Sequence, residues 1–107
     1  MKYVMFRVGF HEMAVFHPVI FAKNIAHDDM AWAVVPLLLH TFPNASVMID
    51  SAGEVVFSCG SVTDPKNPLG TTRVARCFGE SETLNAKSHP ERDAQIINTI
   101  DHGGGIE

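Results

Sequence analysis

Six histidines in a chain of 107 residues are the first side chains that suggest chemistry. Three of them, His11, His17 and His27, fall within one short region that also holds acidic side chains. Zn²⁺ in proteins takes three or four nitrogen, sulfur or oxygen ligands at about 2.0–2.2 Å. The HExxH and CxxC patterns typical of such sites are missing here. One hypothesis is therefore a zinc-binding protein or metal-dependent hydrolase using these three histidines; the competing interpretation is partly exposed, hydrogen-bonded imidazoles.

The two cysteines, Cys59 and Cys77, are too few for a disulfide framework. A nucleophilic thiol needs a cationic neighbour that lowers its pKa. Arg76 is next to Cys77 in sequence, but adjacent residues of a strand point to opposite faces of the sheet. The pattern favours two ordinary buried thiols.

The glycine run at 102–105, His-Gly-Gly-Gly, has the form of an esterase oxyanion-hole loop. That loop works with a Gly-x-Ser-x-Gly nucleophile elbow, and the nearest match, at 79–83, ends in Thr83. The run is better explained as the cap of a helix followed by a tail. We therefore assign no catalytic residue from the sequence.

Composition limits the classes of partner. Apolar residues make up 46% of the chain and charged residues 19%, which is typical of a folded domain. The net charge is −4, and the eight lysines and arginines are scattered, which argues against nucleic-acid binding. The longest apolar stretch, 30–39, contains Pro36 and is too short to span a bilayer, and the N-terminus lacks a signal-peptide layout. We expect one cytoplasmic domain over residues 1–107 that binds neither nucleic acid nor membrane.

Hydrophobic periodicity predicts the elements. Alternating apolar residues indicate strands at 3–10, 14–22 and 72–79, a hairpin with arms at 46–50 and 54–59, and helices beginning near Asp28 and Ser88. The order is ββαβββα. It predicts an α+β fold, a two-layer sandwich in which two helices cover one face of an antiparallel sheet of about five strands. A loop at 60–71 and a frayed tail at 103–107 complete the prediction.

Surplus apolar surface indicates self-association. The second strand is apolar on both faces, and Pro18 within it points to a sheet edge or a bulge. The first helix is apolar all round as far as Pro36 and beyond, which is hard to bury within so small a domain. We predict a dimer or trimer. The predicted interface residues are Phe16, Val19, Phe21, Trp32, Leu37 and Leu38.

Several stretches together resemble a group of short proteins encoded in phages and prophages. The stretches are MKYVMF at 1–6, HPVIF at 17–21, FGESETL at 78–84 and PERDA at 90–94. The resemblance implies a phage or prophage setting and the host cytoplasm. It implies no activity and no catalytic residue.

These observations favour a small non-enzymatic, homo-oligomeric accessory protein without a cofactor. Its other partner would be a host or phage protein, bound through protein–protein contacts. The first alternative is the zinc-dependent protein described above. The second is a minor structural component of the virion.

Overall fold

The computed structural model describes residues 1–59 and 73–101. In chain order its elements are β1 (Lys2–Phe10), β2 (Met13–Phe21), α1 (His27–Thr41), β3 (Ser46–Cys59), β4 (Arg73–Phe78), β5 (Glu80–Ser81), β6 (Ala86–Lys87) and α2 (Pro90–Asp101). The predicted loop at 60–71 and tail at 103–107 lie outside the described residues.

The described strands form an antiparallel four-stranded sheet of order β2-β1-β3-β4 and a separate two-stranded ribbon, β5–β6. The α+β class is confirmed, and so is the order ββαβββα when the ribbon is counted as one unit. The predicted hairpin within 46–59 is wrong. That segment is one long strand, β3. Its pairing with β1 shifts in register between Met5 and Phe6.

Both faces of the sheet are covered, each by one helix. One core cluster contains Val4, Phe6, Val8, Phe21, Ala31, Leu38 and Ala52, and so joins α1 to the sheet. The other contains Tyr3, Met5, Val55, Ala75, Cys77 and Ile97, and so joins α2 to the sheet. Alternate residues of β1 are buried in different clusters, because successive side chains of a strand point to opposite faces. The expectation that both helices cover one face is therefore wrong.

Pro18 lies on an edge strand, as its missing amide hydrogen predicts. The Met1 carbonyl oxygen accepts a hydrogen bond from the Val55 N–H of β3 at 2.9 Å. Backbone N–H and C=O groups of successive strand residues point alternately to the two neighbouring strands, so those of the odd-numbered β1 residues point to β3. Pro18 is paired with one of these, Met5, so its nitrogen faces away from β1. The proline thus interrupts the outer edge of β2 without removing a bond to β1.

The opposite edge, β4, is closed by a side chain of α2. The Ala75 N–H donates to Asn98 Oδ1 at 2.7 Å, and Asn98 Nδ2 lies 3.4 Å from the Ala75 carbonyl oxygen. The amide therefore pairs with the outer backbone groups of β4 as a neighbouring strand would. Unpaired sheet edges invite association with other strands, and here each edge strand carries a feature that interrupts it.

Candidate functional site

The predicted interface residues separate into buried and accessible groups. Phe21 of β2 and Leu38 of α1 are both buried in the core cluster between α1 and the sheet. Phe16 and Val19 are half-buried against the two core clusters, which leaves little of them for a partner. Those four side chains therefore present little surface. Trp32 and Leu37 are the accessible members, 67% and 65% exposed, respectively.

The accessible pair belongs to a wider surface, which we name the outward α1 face. It consists of Trp32, Ala33, Pro36, Leu37 and Leu39, all exposed. The helix turns Ala31 and Leu38 to the sheet, so residues on the other side of the helix remain in solvent. Lys, Arg, Asp and Glu are all absent from positions 30–39. The face is therefore apolar along most of its length.

Pro36 lies inside α1 and does not end it, because the helix continues to Thr41. The proline has no N–H to donate to the carbonyl of Trp32, four residues earlier. Near the end of the helix, the Thr41 hydroxyl donates to the Leu37 carbonyl oxygen at 2.9 Å, and the Phe42 N–H donates to that of Leu38 at 2.8 Å. These bonds complete the last turn and keep Leu37 and Leu39 on the helix.

The three histidines of the zinc hypothesis occupy different surroundings. His27 is buried, and its Nε2 donates to the Gly53 carbonyl oxygen at 2.8 Å. His11 lies at the β1–β2 turn with φ 44°, and His17 is exposed on β2. Across residues 1–59 and 73–101, no group of three or more His, Cys, Asp or Glu side chains is placed to share a metal ion. The zinc hypothesis stays a prediction, which elemental analysis of the purified protein tests directly.

A polar cleft of about 300 Å³ opens beside His27. It is lined by Lys2, Ala26, His27, Glu54, Glu80, Glu82 and Thr83. The Lys2 Nζ donates to the Ile25 carbonyl oxygen at 3.0 Å, while His27 is bonded to Gly53. These two bonds hold the start of α1 against β1 and β3, so the basic side chains of the cleft serve the fold.

A buried carboxylate, Asp93 of α2, forms the densest polar cluster in the described structure. Its Oδ2 accepts hydrogen bonds from the Tyr3 hydroxyl at 2.6 Å, the Ser51 hydroxyl at 2.7 Å and the His89 backbone N–H at 3.0 Å. Tyr3, Ser51 and Asp93 are fully buried. The cluster joins α2 to β1 and β3, and a substrate cannot reach it.

Arg92 completes this cluster at its rim. Its Nε and Nη2 donate to Asp93 Oδ1 at 3.2 and 3.0 Å. The same guanidinium pairs with Asp50 and lies over the ring of Phe16, 4.8 Å from its centroid. Arg92 therefore connects α2 to both β3 and the edge strand β2, and it supplies the positive charge that a buried carboxylate requires.

The environment of Asp93 shifts two pKa values in opposite directions. Burial alone would raise the pKa of the Asp93 carboxyl, but hydrogen bonds from Tyr3, Ser51, His89 and Arg92 outweigh burial and lower it. Burial raises the pKa of the Tyr3 phenol, and the bond to the Asp93 carboxylate raises it further. At neutral pH the carboxylate is therefore ionised and the phenol carries the donated proton.

This pKa shift predicts acid sensitivity. A carboxyl with a lowered pKa in the folded state stabilises the fold above its unfolded pKa, about 3.9, and this contribution is lost as the pH falls through the folded pKa. We expect the free energy of unfolding, measured by urea titration across a pH series, to fall below about pH 4–5. The Asp93→Asn variant should show a shallower fall. Equal pH dependence in the two proteins would contradict this role for Asp93.

Cys77 is a buried thiol, as the sequence predicted. Burial raises its pKa to about 11, and the nearby charge of Asp93 raises it too, while a hydrogen bond with Tyr3 lowers it. At neutral pH the group is protonated, which removes its nucleophilic form. The side chain of Cys59 lies outside the described atoms.

The Asp93 cluster was missed at the level of sequence. One signal was present: Asp93 lies four residues before Ile97, which places a charged residue on the inward stripe of a helix. A charge in that position requires a partner from the sheet. The partners, Tyr3 and Ser51, are remote in sequence and become visible only in the fold.

Comparisons with protein-family models, curated proteins and solved structures yield no match to this chain. In the part of the chain that the structure describes, neither helix combines the length and hydropathy needed to cross a bilayer. Within the described residues, the outward α1 face is an accessible apolar surface for which the fold shows no internal contact.

Proposed function

We propose that this chain is a small non-enzymatic protein that forms homo-oligomers and acts through protein–protein contacts made by the outward α1 face. In keeping with the resemblance to phage and prophage proteins, it works in the cytoplasm of a host cell. Its further partner is a host or phage protein.

One observation carries this proposal: two large apolar side chains, Trp32 and Leu37, are about two-thirds exposed on an uncharged helix face. Isolated apolar residues are common on protein surfaces, but contiguous patches usually mark interaction sites. Tryptophan in particular is enriched at positions that dominate binding energy. Leu39 extends the patch along the same helix.

The edges of the sheet support association through a helix rather than through strands. Pro18 interrupts the outer edge of β2, and Asn98 occupies the outer backbone groups of Ala75 on β4. A partner strand would lose hydrogen bonds at either edge. The outward α1 face carries no such obstacle.

The non-enzymatic role is supported by the position of the polar groups. The cluster around Asp93 is enclosed by α2 and the sheet, and the thiol of Cys77 is protonated and buried. His27 and Lys2 are bonded to backbone carbonyls that fix α1. Each of these groups has a structural task that its contacts explain.

Replacing Trp32 with glutamate should weaken self-association. The change removes a large apolar contact and places a charge in the interface, so we expect the dissociation constant to rise by at least about tenfold. The side chain is 67% exposed, so the fold should be retained. Sedimentation velocity over a wide concentration range measures the effect.

Met48→Glu is the matched control, because Met48 is 60% exposed on β3, away from α1. It should leave the association unchanged. Equal weakening by both variants would indicate a general effect of charge, and a wild-type protein that stays monomeric at all concentrations would refute the homo-oligomer. Affinity capture from host lysate, with the Trp32→Glu variant as a parallel bait, then identifies partners that depend on this face.

A further inference from the structure

The outward α1 face has an internal symmetry. Asp29 and His40 are both exposed, one near each end of the helix, and both lie equally far from a midpoint between residues 34 and 35. Ala33 and Pro36 flank the same midpoint. With each residue turning about 100°, Asp29 and His40 differ by only about 20° around the helix, and lie about 16 Å apart along it. They mark the two ends of one line.

The apolar residues are arranged around that line. Trp32 and Leu39 are seven residues apart, so they lie on one flank of it, whereas Leu37 lies on the other. The centre is formed by Ala33 and by the compact ring of Pro36. Small side chains at a crossing point let two helices approach closely, while larger ones on the flanks fill the space beside the crossing.

We propose that the outward α1 face binds the same face of a second copy, with the two helices antiparallel about a two-fold axis at the midpoint between residues 34 and 35. This inference rests on the proposed function and specifies its geometry. Trp32 then packs against Trp32 and Leu39 of the second copy, and Leu37 meets its own equivalent. Such an interface is isologous and closed, giving a dimer.

Charge distinguishes this arrangement from a parallel one. Antiparallel pairing places Asp29 of each copy opposite His40 of the other, where the imidazole N–H can donate a hydrogen bond to the carboxylate. Parallel pairing would place Asp29 against Asp29 and His40 against His40, which sets like groups together. Complementary polar groups at an interface help to fix the orientation of the partners. The acidic start and the histidine near the end of α1 therefore favour the antiparallel dimer over the parallel one.

The test is a charge exchange at the two ends of the helix. His40→Glu places a carboxylate opposite Asp29 twice per dimer, and we expect the dimer to dissociate about fivefold more readily. Adding Asp29→Lys to that variant places a lysine opposite each new glutamate, so the double variant should regain wild-type affinity or exceed it. Sedimentation velocity at low ionic strength measures all three proteins, since salt screens such pairs.

The outcomes separate this inference from the proposed function. A wild-type monomer would refute the homo-oligomer itself. A wild-type dimer whose double variant is as weak as His40→Glu, or weaker, would overturn the antiparallel geometry and leave self-association standing. Both positions are exposed, so the substitutions should preserve the fold, and circular dichroism spectra that match the wild type confirm this.

Discussion

Replacing Asp93 with alanine is expected to lower the free energy of unfolding by about 3–5 kcal/mol, the usual cost of breaking a buried charged pair from one side. The carboxylate is fully buried and accepts bonds from Tyr3, Ser51 and His89. Its removal leaves these donors without an acceptor. Arg92 loses one of its two carboxylate partners and keeps Asp50.

Urea titration at neutral pH measures this loss. Glu91→Ala is the matched control, because Glu91 is an exposed acidic residue in the first turn of the same helix. It should change stability by no more than about 0.5 kcal/mol. A loss below about 1 kcal/mol in the Asp93 variant would show that the cluster does not hold α2 to the sheet.

The second large effect is expected for Gly53→Ala. A Cβ at this position would lie 2.4 Å from the carbonyl oxygen of Phe78 and 3.1 Å from Cβ of Ser88. The nearest atom belongs to the backbone of β4, so relief requires the strand pair to shift. Overpacking of this kind costs about 1–3 kcal/mol, and a backbone contact favours the upper end of that range.

Gly9→Ala serves as the control for this glycine. Gly9 also lies in a strand, but its added Cβ would meet the Ser46 hydroxyl oxygen, at 2.8 Å, which belongs to a side chain free to rotate away. Thermal unfolding should therefore show a clearly lower midpoint for the Gly53 variant than for the Gly9 variant. Similar midpoints would mean that the approach of Phe78 to Gly53 is easily relaxed.

The strands and helices were predictable because their patterns are local. Alternation along β1 marks a strand with two apolar faces. Pro18 has no N–H to donate, and an edge strand tolerates this absence. Alternation alone, however, does not say what covers each face. The structure shows that α1 and α2 lie on opposite faces, because Leu38 is buried in one core cluster and Ile97 in the other.

The long strand β3 was not predictable for a related reason. The stretch Asp-Ser-Ala-Gly at 50–53 has the composition of a turn. In the fold, Ser51 is a strand residue that donates to Asp93, and Gly53 is a strand residue that admits the backbone of Phe78. Ser51 and Gly53 suit contacts with segments that are distant in sequence, and a local sequence pattern carries no information about such contacts.

The exposed apolar surface was predictable in part. The apolar character of α1 was evident from sequence, but the division between inward Leu38 and outward Leu37 depends on how the helix is rotated against the sheet. Phe21 looked equally available and is in the core. The sequence therefore indicates which element bears surplus apolar surface, and the packed structure indicates which side chains present it.

The attachments of α2 have a consequence for misfolding. Asp93 anchors the start of this helix, and Asn98 occupies the backbone groups of Ala75 further along it. A species with α2 detached would expose an open strand edge together with the apolar side chains beneath the helix, the combination that templates amyloid-like stacking. Loss of the Asp93 anchor should therefore promote aggregation in concentrated solutions even while most molecules remain folded.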